Sequence, residues 1–143
     1  MKRSKYRNVR VEPSESQSQA AVIQWWALAC KGYGLPEYSL FSVPNGAVLA
    51  GNAQRRAIQM NNLKRTGLRA GVPDLFLAAP HPVQSTMPGE EWLCGLFIEM
   101  KKKPNKISAE QADFIYYLRT RGYHVCVCYS ADEAIKAISG YLA

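Results

Sequence analysis

The sequence lacks any long hydrophobic run. Its apolar segments are shorter than the roughly 18 residues that a membrane-spanning helix needs. No apolar stretch follows the basic N-terminus at once, so the start does not have the pattern of a secretory signal. Internal repeats and low-complexity tracts are also missing. We therefore expect a cytoplasmic protein without membrane contact, whose 143 residues form one core.

Ligand spacings typical of zinc sites are missing too. The four cysteines contain no CxxC pair, and the two histidines, His81 and His124, show no ligand spacing to them. Cys126 and Cys128 lie two positions apart in an apolar run, so on a strand they share one face. We expect them to be buried free thiols of a reducing compartment.

Acidic residues are absent between Glu37 and Asp74, and the chain carries a formal net charge of +7. The positive charges fall into three runs. Solvated surface charge explains any single run about as well, but three runs around one acidic motif favour a phosphate-binding surface. The runs contain Lys2, Arg3, Lys5, Arg7 and Arg10; then Arg55, Arg56, Lys64, Arg65 and Arg69; then Lys101, Lys102, Lys103 and Lys106.

Hydrophobic periodicity predicts the order αβαββαβα. Helices are expected over 15–31, 52–66, 108–121 and 131–138, and strands over 40–43, 74–79, 93–100 and 123–129. Residues 1–13 are predicted to be a basic, flexible tail, residues 14–143 a single domain, and residues 80–89, with three prolines, a loop. This order predicts an α/β fold with a mixed sheet flanked by helices, in which strands 93–100 and 123–129 form a parallel crossover.

Side chains at a few positions refine these expectations. Ser14 and Ser16 are both suitable N-caps for the first helix. Trp25 and Trp26 are predicted to be core residues rather than base-stacking groups. The same is expected of the tyrosine pair 116–117.

Two acids and a lysine are the candidate residues for a metal-dependent catalytic site. Glu99 and Lys101 lie two positions apart near the end of an apolar strand, so they share one face, and Asp74 opens the preceding strand. Acids at the ends of neighbouring strands can converge on one ion, and their oxygens suit Mg²⁺. A lysine beside the metal can orient or deprotonate a water, or stabilise charge on a phosphate. An ion-paired strand end with an aspartate in a turn is the more common interpretation of an isolated E-x-K pattern.

A wider series of motifs favours the catalytic interpretation. In this order and spacing, the series resembles the virus-type replication-repair nuclease family, VRR-NUC, a branch of the PD-(D/E)XK nucleases. The resemblance covers residues 14–142, nearly the whole chain. Its pieces are Glu15-Ser-Gln-Ser-Gln19 before Trp25-Trp26, Pro44-Asn45-Gly46, Gly67-Leu-Arg-Ala-Gly71-Val72-Pro73-Asp74-Leu75, Gly95-Leu-Phe-Ile-Glu99-Met-Lys101, Ser108-Ala-Glu-Gln111 and Gly122-Tyr123.

The resemblance implies a restriction-endonuclease-like core and a role for each matching position. Asp74 and Glu99 match the metal-binding carboxylates, with the Met100 carbonyl as a further ligand. Lys101 matches the catalytic lysine. Gln111 matches a glutamine that supports the site.

Two of the implied roles have a structural alternative. Gln111 is also the natural capping-box partner of Ser108, and the two roles can coexist. Glu15 matches an acid that can join the metal shell, but it is equally a first-turn acid facing the helix dipole.

The function implied is hydrolysis of DNA phosphodiester bonds with Mg²⁺ or Mn²⁺ as cofactor. The expected substrate is branched, flap or junction DNA in replication, recombination or repair. A phage or other virus origin is also implied, which would place the protein in the host cytoplasm, and a homodimer is expected. The residues expected to contact DNA are Asn45 (or it shapes the loop beside the site), Arg55, Arg56, Lys64, Arg65, Arg69, Lys102 and Lys103.

Two other classes of function compete with a nuclease. One is a non-catalytic DNA-binding module that retains the fold, and the intact acids, lysine and glutamine oppose it. The other is a basic RNA-binding domain, for which the sequence offers neither an RNP-type aromatic motif nor a GXXG loop.

Overall fold

The structure, a computed structural model, describes residues 11–45, 49–83 and 91–143. Within these ranges, helices and strands follow the expected order, with one additional hairpin. The elements are α1 (Glu15–Ala29), β1 (Leu40–Ser42), α2 (Ala53–Arg65), β2 (Leu75–Leu77), β3 (His81–Val83), β4 (Glu91–Leu93), β5 (Leu96–Met100), α3 (Ala109–Thr120), β6 (His124–Cys128) and α4 (Ala131–Tyr141).

Four of the strands form a mixed sheet in the order β1-β2-β5-β6. β2 runs antiparallel to both β1 and β5, whereas β5 and β6 are parallel. The chain returns from β5 to β6 through α3, because parallel strands need a crossover connection. The predicted mixed sheet flanked by helices and the predicted parallel crossover are therefore confirmed.

Helices cover both faces of this sheet. The main core lies between the sheet and the pair α1 and α4, and includes Leu75, Ile98 and Trp26. A smaller core lies under α3 on the other face. Because side chains alternate along β5, its even-numbered residues face the main core, while Phe97 packs under α3. Glu99 and Lys101 share the face of Phe97.

Capping boxes fix where two helices begin. Ser14, not Ser16, caps α1 and exchanges hydrogen bonds with Gln17. Ser108 and Gln111 form the predicted box at the start of α3. In each box the side chains satisfy donors that the first helical turn leaves unpaired.

The segment before β5 differs from the prediction. Residues 81–83 were expected in a loop, but they form β3 and pair with β4; residues 84–90 lie outside the described part of the chain. Pro82 is tolerated there because each strand of a two-stranded ribbon has a free edge, where a missing N–H costs nothing. The predicted strand 93–100 is also interrupted at Gly95, where a Cβ would approach the Phe76 ring to 2.6 Å.

Several side chains were predicted with mixed success. Cys128 is buried as expected, but Cys126 is only half-buried; all four cysteines, each within the described ranges, are free. Trp26 is buried in the core and donates its indole N–H to the Glu37 carbonyl. The core prediction was wrong for the tyrosine pair 116–117, which is exposed by 73% and 54%.

Parts of two predicted segments lie outside the described residues. The tail predicted over 1–13 lies mostly outside the described residues, and so does Gly46 of the predicted turn. Across the described ranges, no helix is long and apolar enough to span a membrane.

Core packing on β5 gives the first prediction. Ile98 is 0% exposed, so Ile98→Ala should lower the free energy of unfolding by about 2–5 kcal/mol through lost burial and the remaining cavity. Ile58→Ala is the matched control, since Ile58 is 56% exposed on α2 and should change stability by less than about 0.5 kcal/mol. Urea unfolding followed by circular dichroism measures both. A small loss at position 98 would contradict the described core.

Candidate active site

Strand pairing brings Asp74 and Glu99 together. Leu75 at the start of β2 lies opposite Ile98 near the end of β5, because the two strands are antiparallel. Asp74 precedes Leu75 and Glu99 follows Ile98, so both acids stand at the same end of the sheet. Neither short motif reveals this proximity by itself.

Glu99 is the most enclosed charged side chain among those described, with 1% exposure. Its Oε1 accepts a hydrogen bond from the Gln111 amide and forms an ion pair with Lys101 Nζ at 3.1 Å. Its Oε2 is buried and has no hydrogen-bond partner among the described residues. Burial, reinforced by the nearby charge of Asp74, raises the pKa of Glu99 to about 7.

Asp74 is held on both carboxylate oxygens. The Met100 N–H donates to Oδ2 at 2.7 Å, and Asn45 Nδ2 donates to Oδ1 at 3.4 Å. Burial raises the pKa of Asp74, although the bond from Met100 and the charge of Lys101 oppose this shift. The donors fix the direction of the carboxylate while its proton affinity stays above the ordinary value.

Gln111 joins the first turn of α3 to the site. Its side-chain oxygen accepts the Ser108 N–H at 2.8 Å, while its side-chain nitrogen donates to Glu99. One amide therefore both caps α3 and holds Glu99. Gly71 packs against this turn: a Cβ there would lie 2.6 Å from the Glu110 carbonyl oxygen, and φ is +86°. The sequence showed Gly71 within a motif but not that it contacts α3.

Glu15 lies at the other side of the site. It is the first residue of α1, and its Oε1 accepts the backbone N–H of Lys102 at 3.0 Å. Its charge raises the pKa of both Asp74 and Glu99. The first-turn position and the closeness to the other acids are thus both present.

The strand register places a proline opposite Met100. The pairing of Leu75 with Ile98, continued by one pair, sets Pro73 opposite Met100. Proline has no N–H, so Pro73 cannot donate a hydrogen bond to the Met100 carbonyl. The sequence interpretation had given Pro73 no such role.

The residues present fit a divalent cation. Mg²⁺ in proteins uses one or two carboxylates together with waters, and carboxylate and carbonyl oxygens also suit Mn²⁺. Asp74, the unpartnered Oε2 of Glu99 and the carbonyl of Met100 supply ligands of this type. Across the described ranges there is no group of three or more His, Cys, Asp or Glu placed to hold a metal, which a site with two carboxylates does not need.

Most of the predicted DNA-contacting residues lie on two segments, α2 and the chain directly after β5. No residue of α2 is buried, and its four basic side chains, Arg55, Arg56, Lys64 and Arg65, are exposed. Lys102 and Lys103 follow β5 beside the acids. Lys102 Nζ donates to the Glu12 carbonyl, and Lys103 Nζ lies 5.9 Å from the centre of the Tyr129 ring.

Two more of the predicted residues are committed to contacts within the chain. Arg69 donates to the Lys64 and Leu68 carbonyls at 3.2 Å. Asn45 is bonded to Asp74. The basic residues of the first run, 2–10, lie outside the described part of the chain.

Comparison with known proteins decides the family. The model of the VRR-NUC domain matches residues 13–132. The chain belongs to the VRR-NUC family. This family is of nuclease type, and the resemblance drawn from the motifs is confirmed.

The structure agrees with this assignment. A solved VRR_NUC domain protein is similar to the chain with a TM-score of 0.66 and 24% identity, over 92% of this chain and 89% of that one. At this identity the likeness shows the VRR-NUC fold. A search of curated proteins found no match.

The raised pKa of Glu99 predicts a pH-dependent stability. The carboxyl has an ordinary pKa of 4.5 and a pKa of about 7 in the folded chain, so the folded state binds more protons between these values. The free energy of unfolding should therefore fall as pH rises from 5 to 8, on the order of 2 kcal/mol for this group. Urea unfolding in EDTA at both pH values measures the change.

Glu99→Gln is the control for this prediction, because glutamine keeps the shape without titrating. His124 has a lowered pKa and gives the opposite slope, and Asp74 adds to the slope of Glu99. The quantity to compare is therefore the difference between wild type and Glu99→Gln. Equal slopes in the two proteins would contradict a proton held on Glu99.

Proposed function

We propose that this VRR-NUC chain is a metal-dependent deoxyribonuclease that hydrolyses DNA phosphodiester bonds. One observation carries the proposal: the buried Glu99 carboxylate near Asp74 has one oxygen held by Gln111 and Lys101, and its other oxygen has no hydrogen-bond partner among the described residues. An acid buried for structural reasons alone would have both oxygens satisfied. An enclosed acid with an unpartnered oxygen beside a second acid is the arrangement expected of a cation ligand.

Asp74, Glu99 and the Met100 carbonyl would hold Mg²⁺ or Mn²⁺. Because the charge of Glu15 acts on both Asp74 and Glu99, Glu15 is near enough to join them. When bound, the ion lowers the pKa of water and stabilises negative charge on phosphate oxygens. The protein's part is to fix these ligands in advance. Gln111 restrains Glu99 and the Met100 N–H restrains Asp74, so little reorganisation is needed on binding.

Lys101 provides the acid-base or charge-stabilising group. Its ammonium lies 3.1 Å from Glu99 Oε1 and is largely enclosed, with 14% of its side chain exposed. From this position Nζ can orient the attacking water through a hydrogen bond or stabilise charge on a phosphate oxygen. Lys102 and Lys103, which point away from this ion pair to Glu12 and Tyr129, serve phosphate binding instead.

The substrate we propose is branched, flap or junction DNA in replication, recombination or repair. The exposed basic helix α2 offers charge without an evident set of base-reading contacts, which suits recognition of backbone shape. Two cuts on a symmetric junction are easiest with two sites, so a homodimer is proposed as well. The cytoplasmic location and the phage origin stay predictions of the sequence.

The competing function is a non-catalytic DNA-binding module with the nuclease fold. A nuclease assay separates the two. Wild-type protein is incubated with single strands, duplexes, flaps and four-way junctions, with Mg²⁺ or Mn²⁺ and with EDTA. Cleavage that EDTA abolishes supports the enzyme, whereas tight DNA binding without cleavage of any substrate supports the module.

Lys101 gives the sharpest prediction about mechanism. Lys101→Ala should keep most DNA affinity but lose cleavage by at least about a hundredfold, the scale of a lost acid-base or charge-stabilising group. Lys102→Ala removes the same charge and should weaken binding while the rate at saturation changes little. Single-turnover rates with enzyme in excess separate affinity from chemistry. If both variants lose affinity alone and to the same extent, Lys101 is only a phosphate contact.

The basic helix α2 gives a prediction about affinity. Replacing Arg55, Arg56, Lys64 and Arg65 with Ala should weaken binding to every DNA tested. The slope of log K against log salt concentration should also become shallower by up to about 3 to 4, because binding with fewer phosphate contacts releases fewer counterions. Fluorescence anisotropy at 50–200 mM salt, in EDTA, measures both quantities.

A matched pair of double variants controls for net charge. Arg55→Ala/Arg56→Ala should flatten the salt slope, whereas Lys31→Ala/Lys136→Ala, with the same charge loss at exposed positions outside the proposed surface, should not. Equal effects of the two pairs would show that α2 is not the binding surface.

A further inference from the structure

Asn45 is brought to the catalytic end of the sheet by the pairing of β1 with β2. Val43, directly after β1, donates its N–H to the Asp74 carbonyl at 2.8 Å. This bond continues the β1–β2 ladder by one step and delivers Asn45, two residues later, to the side of Asp74. The Asn45 amide then donates from Nδ2 to Asp74 Oδ1 at 3.4 Å.

The chemistry of the two groups sets the orientation of this amide. An ionised carboxylate only accepts hydrogen bonds, so the Asn45 amide must turn its NH₂ group towards Asp74. Its Oδ1 consequently faces elsewhere. That oxygen is buried and has no hydrogen-bond partner within the described ranges.

Unpartnered buried oxygens therefore lie on two residues that border Asp74. One is Asn45 Oδ1 and the other is Glu99 Oε2, and no other buried side-chain nitrogen or oxygen in the described ranges lacks a partner. A buried acceptor without a donor costs free energy. Two acceptors beside the Asp74 carboxylate are jointly satisfied by a cation that carries its own water, because the ion binds carboxylate oxygen and the water donates hydrogen bonds.

We propose that Asn45 is a positioning residue of the metal site and not a contact to the DNA backbone. Its Nδ2 orients Asp74 by binding Oδ1 while Met100 binds Oδ2, and its Oδ1 accepts a hydrogen bond from water in the hydration shell of a divalent cation. The inference rests on the proposed metal-dependent function and adds to it a residue outside the acids, lysine and glutamine. The sequence interpretation had assigned Asn45 to DNA or to shaping the loop.

The two roles of Asn45 differ in what its replacement changes. A DNA contact at position 45 would affect DNA affinity in the absence of metal and leave ion affinity unchanged. A positioning residue would affect ion affinity in the absence of DNA. The experiment therefore measures Mn²⁺ binding to the free protein by titration calorimetry and by the electron paramagnetic resonance signal of unbound Mn²⁺.

Asn45→Ala should weaken Mn²⁺ binding about 10- to 100-fold, the effect typical of lost partners of metal ligands. Asn61→Ala is the matched control, because Asn61 is an exposed asparagine on α2 and should bind Mn²⁺ like wild type. DNA affinity of Asn45→Ala in EDTA should also stay at the wild-type value.

A second variant protects the test against misfolding. Asn45→Leu has nearly the same size and removes both the donor to Asp74 and the unpartnered oxygen, so it should keep the wild-type circular dichroism spectrum in EDTA yet bind Mn²⁺ as weakly as Asn45→Ala. Wild-type Mn²⁺ affinity in either variant overturns the proposal, and a reduced DNA affinity of that variant in EDTA would then show a DNA contact. If wild type itself binds no Mn²⁺, the metal-dependent function fails, and the inference fails with it.

Discussion

Met100 donates its backbone N–H to the Asp74 carboxylate at the point where β2 and β5 stop pairing. At this point a side-chain carboxylate, not a backbone carbonyl, accepts the N–H of β5. The bond holds Asp74 against the strand that contains Glu99. The antiparallel register is what makes it possible, since it sets the start of β2 beside the end of β5. A shift of one residue would turn one of the two acids to the opposite face of the sheet.

The surrounding residues bury Glu99 near the end of β5. Its neighbours Ile98 and Met100 face the main core, while Glu99 turns to the face under α3. There the capping box of α3 supplies the Gln111 amide, and Gly71 lets the loop before Asp74 approach the same helical turn. The cap of α3, the packing of the loop and the position of the acid are therefore parts of one arrangement.

Charge is distributed differently over the exposed surface. Glu99 is buried and Lys101 is largely enclosed, whereas α2 has no buried residue and contains no acidic residue. Both ends of α2 are connected to the surroundings of the site by fewer than ten residues: Asn45 precedes the helix and Gly71 follows it. A polyanion attracted to α2 would thus be kept near the acids by the short connections, and the enclosed carboxylates would not have to contribute to attraction.

Much of the fold follows from the sequence alone. Periodicity and capping residues predicted the helices and the strands of the main sheet, because these depend on interactions between residues close in the chain. The parallel crossover followed from the order strand, helix, strand. The same is true of the ion pair of Glu99 with Lys101, since two positions along a strand fix a common face. The β3–β4 ribbon was missed because three prolines argue locally for a loop, and only the free edges of a two-stranded ribbon make Pro82 acceptable. Only the tertiary structure decided three contacts between residues distant in sequence. Asn45 bonds to Asp74, Asp74 bonds to Met100 at the end of β5, and Gly71 packs against the first turn of α3. Such contacts depend on strand register and backbone approach, which no local pattern of residues encodes.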